Sequence, residues 1–448
     1  MAGEVYFPHD PAYEHATTVF NLHGAPRPAA ARTVRTLAEL RDVLAYARTA
    51  CMPVRVHSTG HGAAAAREMS GSVLVRTEMD GGVQIDPVRR TALIPAGTRW
   101  GAVVDAAAPY DLAAPHGSSA DVGAVGYLLR GGVSVYGRLV GLAANSVTAV
   151  DLVTADGGLH RVDADHDPEL FWALRGGGGG FGVVVAVEIR LFPARPVVTG
   201  SAYWPVAHAA ELLRRWTRWA ATAPWEVTSA FQVLNLPDVP MVPAELRSGT
   251  MIGVAATEVR VDDAPSGLTE LLDDLRAVAA PVVESWLPCT PAEVVRAQLG
   301  PDEPVPIVGD HLLLADLDER ASAAFLAATG SGSPLITAEL RQLGGALAVP
   351  DPRGGALDHY DARYSYLGNA IPDGPEATAT IEKHCAVVRA ALAPWDTGRT
   401  APTFVESWQQ PQRHLDPEQI DRADRVRTRV DPTGLFRLDA SPGTTMLR

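Results

Sequence analysis

The chain is short of cysteine. Its 448 residues hold three, Cys51, Cys289 and Cys385, odd in number and far apart. That excludes a disulfide framework and makes a reducing cytoplasm the expected compartment. Positive charge is also scarce: 38 Lys and Arg against 52 Asp and Glu give a formal net charge of -14. Such a balance argues against nucleic acid or an anionic membrane as a main partner. No apolar run approaches the length of a membrane span. The stretch Met1 to Asp10 has no basic patch followed by an apolar core, so no secretory signal is expected. Repeats of fixed period are absent too. The remainder, 47% hydrophobic and 20% charged, is ordinary for a globular protein. Its length implies two or three domains.

Glycine, by contrast, is concentrated in three places. The first segment, VRVHSTGHG at 54–62, runs from a strand into a polar turn. A second, GSSADVGAVGYLLRGG, covers 117–132, and a third, RGGGGGFG, covers 175–182. The third is the most informative because of its flanks. Before it, DPELFWAL at 167–174 reads as a short helix, with Asp167 as cap and Pro168 in the first turn. After it, VVVAVEIRLF at 183–192 is too β-branched to be anything but a strand. A dinucleotide fingerprint of the Rossmann kind runs strand, glycines, helix. Here the order is helix, glycines, strand, so bare backbone N–H groups are offered to a nucleotide cofactor by a different fold.

Elsewhere in the first part, Leu37, Leu40, Val43, Leu44 and Ala47 form one stripe of a helix over 37–49, and a helix is expected near Trp100 to Ala108. Hairpins are expected at 82–95 and at 145–162, the latter turning on Asp156-Gly157. Beyond the Pro-rich break at 193–196, amphipathic helices alternate with strands. Leu212, Leu213, Trp216, Trp219 and Ala220 share a face, and strands are expected at 251–259, 336–343 and 364–367. A last helix is expected over 417–429.

The three segments closely resemble the FAD-linked oxidases of the vanillyl-alcohol oxidase and p-cresol methylhydroxylase type, in particular the berberine-bridge-enzyme-like bacterial branch. The family's Arg-Ser-Gly-Gly-His is matched by His57-Ser58-Thr59-Gly60-His61. Its Val-Gly-x-x-Gly-Tyr-x-x-Gly-Gly-Gly is matched from Val122 to Gly132, and its Glu-Leu-Phe-Trp-Ala-Leu-Arg-Gly-Gly-Gly from Glu169 to Gly178. The resemblance is dense over about 35–195, in register again at Asp431 to Arg437, and weak between. It implies an α+β protein: a two-subdomain FAD-binding domain over 1–196, and a substrate domain over 197–400 with an antiparallel sheet covered by helices. A C-terminal segment, 401–448, then returns to the FAD domain.

What the resemblance further implies is FAD bonded through His61, with a single link, since the position of a second, cysteine link is Ser119. Cofactor contacts are expected from His57, Ser58, Thr59, Gly60, His61, Gly62, Ser118, Ser119, Val122, Gly123, Gly126, Tyr127, Gly131 and Gly132. Gly179, Gly180, Gly182, Val183 and Val184 of the third segment join them. The implied activity is an FAD-dependent oxidoreductase, oxidase-like, taking a hydride from an alcohol, hemiacetal or amine carbon, with oxygen as acceptor and a role in natural-product tailoring. The alternative is a flavoprotein that binds or cyclises a ligand without net oxidation. Two departures support it: the first turn has lost an arginine and a glycine, and the tail FRLDASP at 436–442 has no Asn or Tyr.

For the catalytic base the residues leave several readings. Tyr364 and Tyr366 point the same way on one strand, with a phenol whose pKa is expected to be lowered by Arg341 or Arg363. Glu339 and Glu406 are the other candidates, and core packing competes with each. Arg130 and Asp121 stand where the motif has small or neutral residues. His57 and His61, four apart, are not on a helix and have no third ligand, so no metal is expected. Substrate identity and oligomeric state stay open.

Overall fold

The stripe at 37–49 forms the helix Leu37–Thr49, opened by a capping box between Thr36 and Glu39. Its buried face packs on a three-stranded parallel sheet in which Val73–Thr77 lies between Ala30–Val34 and Val54–His57. The computed structural model describes residues 5–436 except 67, 241, 248, 262–265, 298, 299, 302, 411 and 412. Both expected hairpins belong to a second, five-stranded antiparallel sheet. Gln84–Asp86 pairs with Thr91–Pro95, and Val147–Val153 with Leu159–Asp163. Val183–Arg190 joins the two hairpins as the central strand. Six of its eight residues are buried, which accounts for its mostly apolar sequence. The helix before the glycine run is Pro168–Leu174, where the Asp167 carboxylate accepts from the Leu170 N–H.

From 197 the chain builds one seven-stranded antiparallel sheet. From edge to edge its strands are Val283–Cys289, Val197–Pro205, Met251–Val259, Val227–Leu234, Thr337–Gln342, Tyr364–Ala370 and Val308–Leu314. Helices Ala209–Ala220, Gly267–Arg276, Glu319–Thr329 and Gly374–Leu392 cover one face. Four of these strands carry no clear sequence signal. Val308–Leu314 hides an Asp310–Arg389 ion pair and His311 within an apolar strand. Val283–Cys289 is a polar edge, and Gly200-Ser201 interrupts Val197–Pro205.

The final helix, Pro417–Val430, lies on Pro168–Leu174 through the ion pairs Arg422–Glu169 and Arg429–Asp167. Beyond it Leu435 accepts from the Val54 N–H at 2.7 Å, and Phe436 bridges Val54 in parallel. The tail positions 437–442 lie outside the described residues. Arg138, 4% exposed, pins the first part to the large sheet. Its guanidinium donates to the carbonyls of Val227 at 2.8 Å, Ala223 at 2.9 Å and Leu343. Among the described residues no helix is long and apolar enough to cross a membrane, and the three cysteines are free thiols.

Candidate cofactor and substrate site

The first and second glycine segments meet. Strand Val54–His57 ends at a turn in which Gly60 takes a φ of +73°, and a side chain there would collide with Val19. Thr59 keeps out of the left-handed region. Its hydroxyl accepts from the Gly123 N–H at 3.1 Å, closing the turn against the second segment. His57 bonds through Nε2 to the Ala16 carbonyl at 2.8 Å, so that nitrogen serves the fold. The His61 ring stacks on Phe20, centroids 3.9 Å apart. Its Nε2 is buried without a protein partner. Burial lowers the imidazole to about 4, against an opposing pull from Asp121, so the ring is neutral and nucleophilic at pH 7. Asp121 itself pairs with Arg99, and its N–H bonds the Ser119 hydroxyl at 3.3 Å.

The helix Ala124–Leu129 follows Gly123 and carries Tyr127, whose hydroxyl is buried without a partner. Burial pushes that phenol well above its usual value. Gly126 faces open space, while Gly131 and Gly132 turn the chain back. Thr403 holds this turn: its hydroxyl accepts from the Gly132 N–H and donates to the Arg130 carbonyl, both at 3.1 Å. A cleft of ≈ 400 Å³ opens between the subdomains, lined by Ser58, Thr59, Arg76, Thr77, Glu78, Gly97, Thr98 and Arg99 among others. An open depression of similar size on the 417–430 helix carries none of these residues. In the third segment, Arg427 donates to the carbonyls of Gly177 and Gly179, and His414 bonds that of Gly176. The C-terminal helix thus braces the five-glycine run.

Two expectations about the base are overturned. Tyr364 and Tyr366 do share a face, but it is the helix-covered one. Tyr364 packs 5.7 Å from Trp216, and Tyr366 lies 6.2 Å from Phe325. Burial raises both phenols; Arg363 and Arg138 only partly oppose this at Tyr364. Glu339, one place out of phase with buried Ala338 and Leu340, lies on the opposite face with Arg341. Its carboxylate accepts from Gln232 and from Arg341, each at 2.8 Å. Arg341 in turn sits 5.3 Å over Phe404, next to Thr403, and its charge reaches Tyr127. This face therefore looks toward the cofactor-binding part. Sequence reasoning missed Phe20, Asn21 and Thr403, which come from segments with no motif. Glu406 is half-buried by exposed area yet deep enough that desolvation raises its carboxyl to about 7. Asn21 donates to it at 3.2 Å, and the Arg130 charge opposes the rise.

Histidine burial has a measurable consequence. His57, His61, His116 and His414 are lowered to about 4 and His311 to about 3, all mainly by desolvation. The unfolded chain protonates these rings near pH 6.5 and the fold does not, so acid favours unfolding. Their stabilisation is complete above about pH 6.5 and is lost as pH falls toward about 4, at roughly 1.4 kcal/mol per unit for each ring. Melting temperatures between about pH 7.5 and 4.5 should fall steeply; a flat profile contradicts neutral buried histidines.

The residues present fit a flavin. His61 Nε2 and the Tyr127 hydroxyl are buried polar atoms that the protein leaves unpartnered, beside glycine turns that let a flat ring approach the backbone. Comparison with known proteins agrees. Residues 28–163 match the family model described as an FAD binding domain. The chain is 30% identical over 205 residues to (R)-6-hydroxynicotine oxidase of Paenarthrobacter nicotinovorans, covering 46% of this chain and 45% of that protein. It spans about half the length of the curated relatives it matches. Among solved structures, 6-hydroxy-D-nicotine oxidase from Arthrobacter nicotinovorans superposes with a TM-score of 0.82 at 22% identity, covering 98% of both chains. The wild-type BBE-like 1 protein of Physcomitrella patens gives 0.82 at 19%, covering 98% of this chain and 97% of its own. The chain therefore carries an FAD-binding domain at residues 28–163, and it shares the fold of 6-hydroxy-D-nicotine oxidase and of the BBE-like 1 protein over nearly its whole length.

Proposed function

We propose that this protein is an oxidase-like flavoenzyme. It takes a hydride from a carbon bearing a hydroxyl or amine on a small molecule, with FAD linked singly through His61 and oxygen as acceptor. The observation that carries the reading is His61: a neutral, buried imidazole with a free nitrogen where two glycine segments meet. Ser58, Thr59, Ser118, Ser119 and the glycines of 123–132 are assigned to the cofactor, as are Gly179 to Val184 beyond the braced run. Bound FAD supplies the hydride acceptor and returns the electrons to oxygen. The protein's part is to hold the donor under the large sheet and to remove a proton. Glu339 is the proposed base, oriented by Gln232 and Arg341. Natural-product tailoring is a reading by analogy with the family.

Anaerobic flavin reduction tests the assignment. Glu339→Gln should slow reduction by about 10²–10⁴-fold, while Tyr364→Phe and Tyr366→Phe stay near the parental rate. A parental rate for Glu339→Gln removes the carboxylate from the chemistry. The second reading, ligand binding or cyclisation without net oxidation, draws support from the Arg341 ion pair that already engages Glu339. It predicts ligands that perturb the flavin spectrum but never bleach it.

A further inference from the structure

In the second glycine segment the turn reads Leu129-Arg130-Gly131-Gly132, and Arg130 stands where the family motif has the first of its three closing glycines. The backbone does not require glycine at this position: Arg130 has a φ of -101°, while Gly131 and Gly132 carry the positive φ values of +92° and +70°. The substitution therefore costs the fold nothing, and its effect lies where the side chain goes. It crosses to the other wall. A methyl group built on Gly62 would collide with Arg130 Nη1, so the guanidinium lies against the backbone one residue beyond His61.

Its surroundings are polar and charged. Thr403 fixes the Arg130 carbonyl, and the Arg130 charge acts on Glu406. Glu406 is in turn held by Asn21, the neighbour of the Phe20 ring on which His61 stacks. Phe20, His61, Gly62, Arg130, Glu406 and Asn21 are thus linked one to the next, by chain neighbourhood, ring stacking, close approach, charge and hydrogen bond.

We propose that Arg130 is a latch on cofactor loading: its guanidinium, lying against the Gly62 backbone, occupies the ground that the flavin ring must cross to reach His61. This rests on the assignment of FAD to His61 made above. The side chain has two positions, one against Gly62 and one swung clear, and only the second admits the ring. The apparent dissociation constant for FAD is then the intrinsic value divided by the fraction swung clear.

The test uses the full-length protein, Arg130→Gly, and the double variant Arg130→Gly with Glu406→Gln, which removes the counter-charge as well and keeps the site neutral. Flavin per chain is measured as purified. The cofactor-free fraction is titrated with FAD by fluorescence quenching, with melting temperatures as the control for folding. Both variants should carry more flavin than the parent and bind FAD at least about tenfold more tightly, as for a latch open about a tenth of the time. If the parent is fully loaded and both folded variants bind equally or more weakly, the latch is refuted and the FAD assignment stands. If none of the three takes up flavin, the FAD assignment fails and the latch with it.

Discussion

Replacing His61 with alanine should abolish acid-stable flavin attachment. The parent protein, precipitated in acid, is expected to keep its yellow colour in the pellet, and His61→Ala to release all colour to the supernatant. The expectation follows from the imidazole's surroundings. Its ring is fixed by the stack on Phe20, held neutral by burial, and presents one nitrogen with no protein partner. No cysteine stands ready to substitute: Ser119 occupies the alternative position, and none of Cys51, Cys289 and Cys385 lies in the three glycine segments. The link is thus expected to be all or none. Mass analysis of the parent should find a single flavin peptide spanning His61. A coloured pellet from His61→Ala, or a flavin on any cysteine, overturns the assignment.

The second large effect is on stability. Arg138→Ala removes a buried cation whose guanidinium ties together Val227, Ala223 and Leu343. Desolvation lowers its pKa only to about 10, so it is charged at neutral pH. Truncation leaves several buried carbonyls without a donor, at about 1–3 kcal/mol each, and a loss of about 3–5 kcal/mol is expected. Urea denaturation should show a large drop in midpoint. Arg138→Lys keeps the charge but not the planar fork, so it should recover only part of the loss. A midpoint within error of the parent for Arg138→Ala means the contacts are not stabilising.

What the sequence made legible was local. His61, the glycines and the order of helix, glycines and strand lie within short windows, where backbone requirements leave a mark on residue type. The large sheet was harder for a definite reason. A period of two shows that Tyr364 and Tyr366 share a face, but not which face. The answer lies in the register: Tyr366 is opposite Leu340 and Leu367 is opposite Glu339, so the tyrosines follow the apolar residue into the core. Pairing between partners 22 to 32 residues apart leaves no trace in either strand alone. Phe20, Asn21 and Thr403 reach the site from distant segments that have no composition to announce them. Arg130 was visible as an oddity, but its direction across the cradle needed three dimensions.

The return of the C-terminal segment sets an order of events during synthesis. Thr403 satisfies Gly132, Arg427 braces Gly177 and Gly179, and Leu435 accepts from Val54. Each of these partners is made after the whole seven-stranded sheet has been translated. A nascent chain can fold its seven-stranded sheet while the cofactor-binding part, begun first, still lacks these supports. Lasting capture of a flavin is therefore expected late, by a nearly finished chain. Truncation just before residue 401 should yield a ribosome-released fragment with a cooperative sheet and no lasting hold on the vitamin.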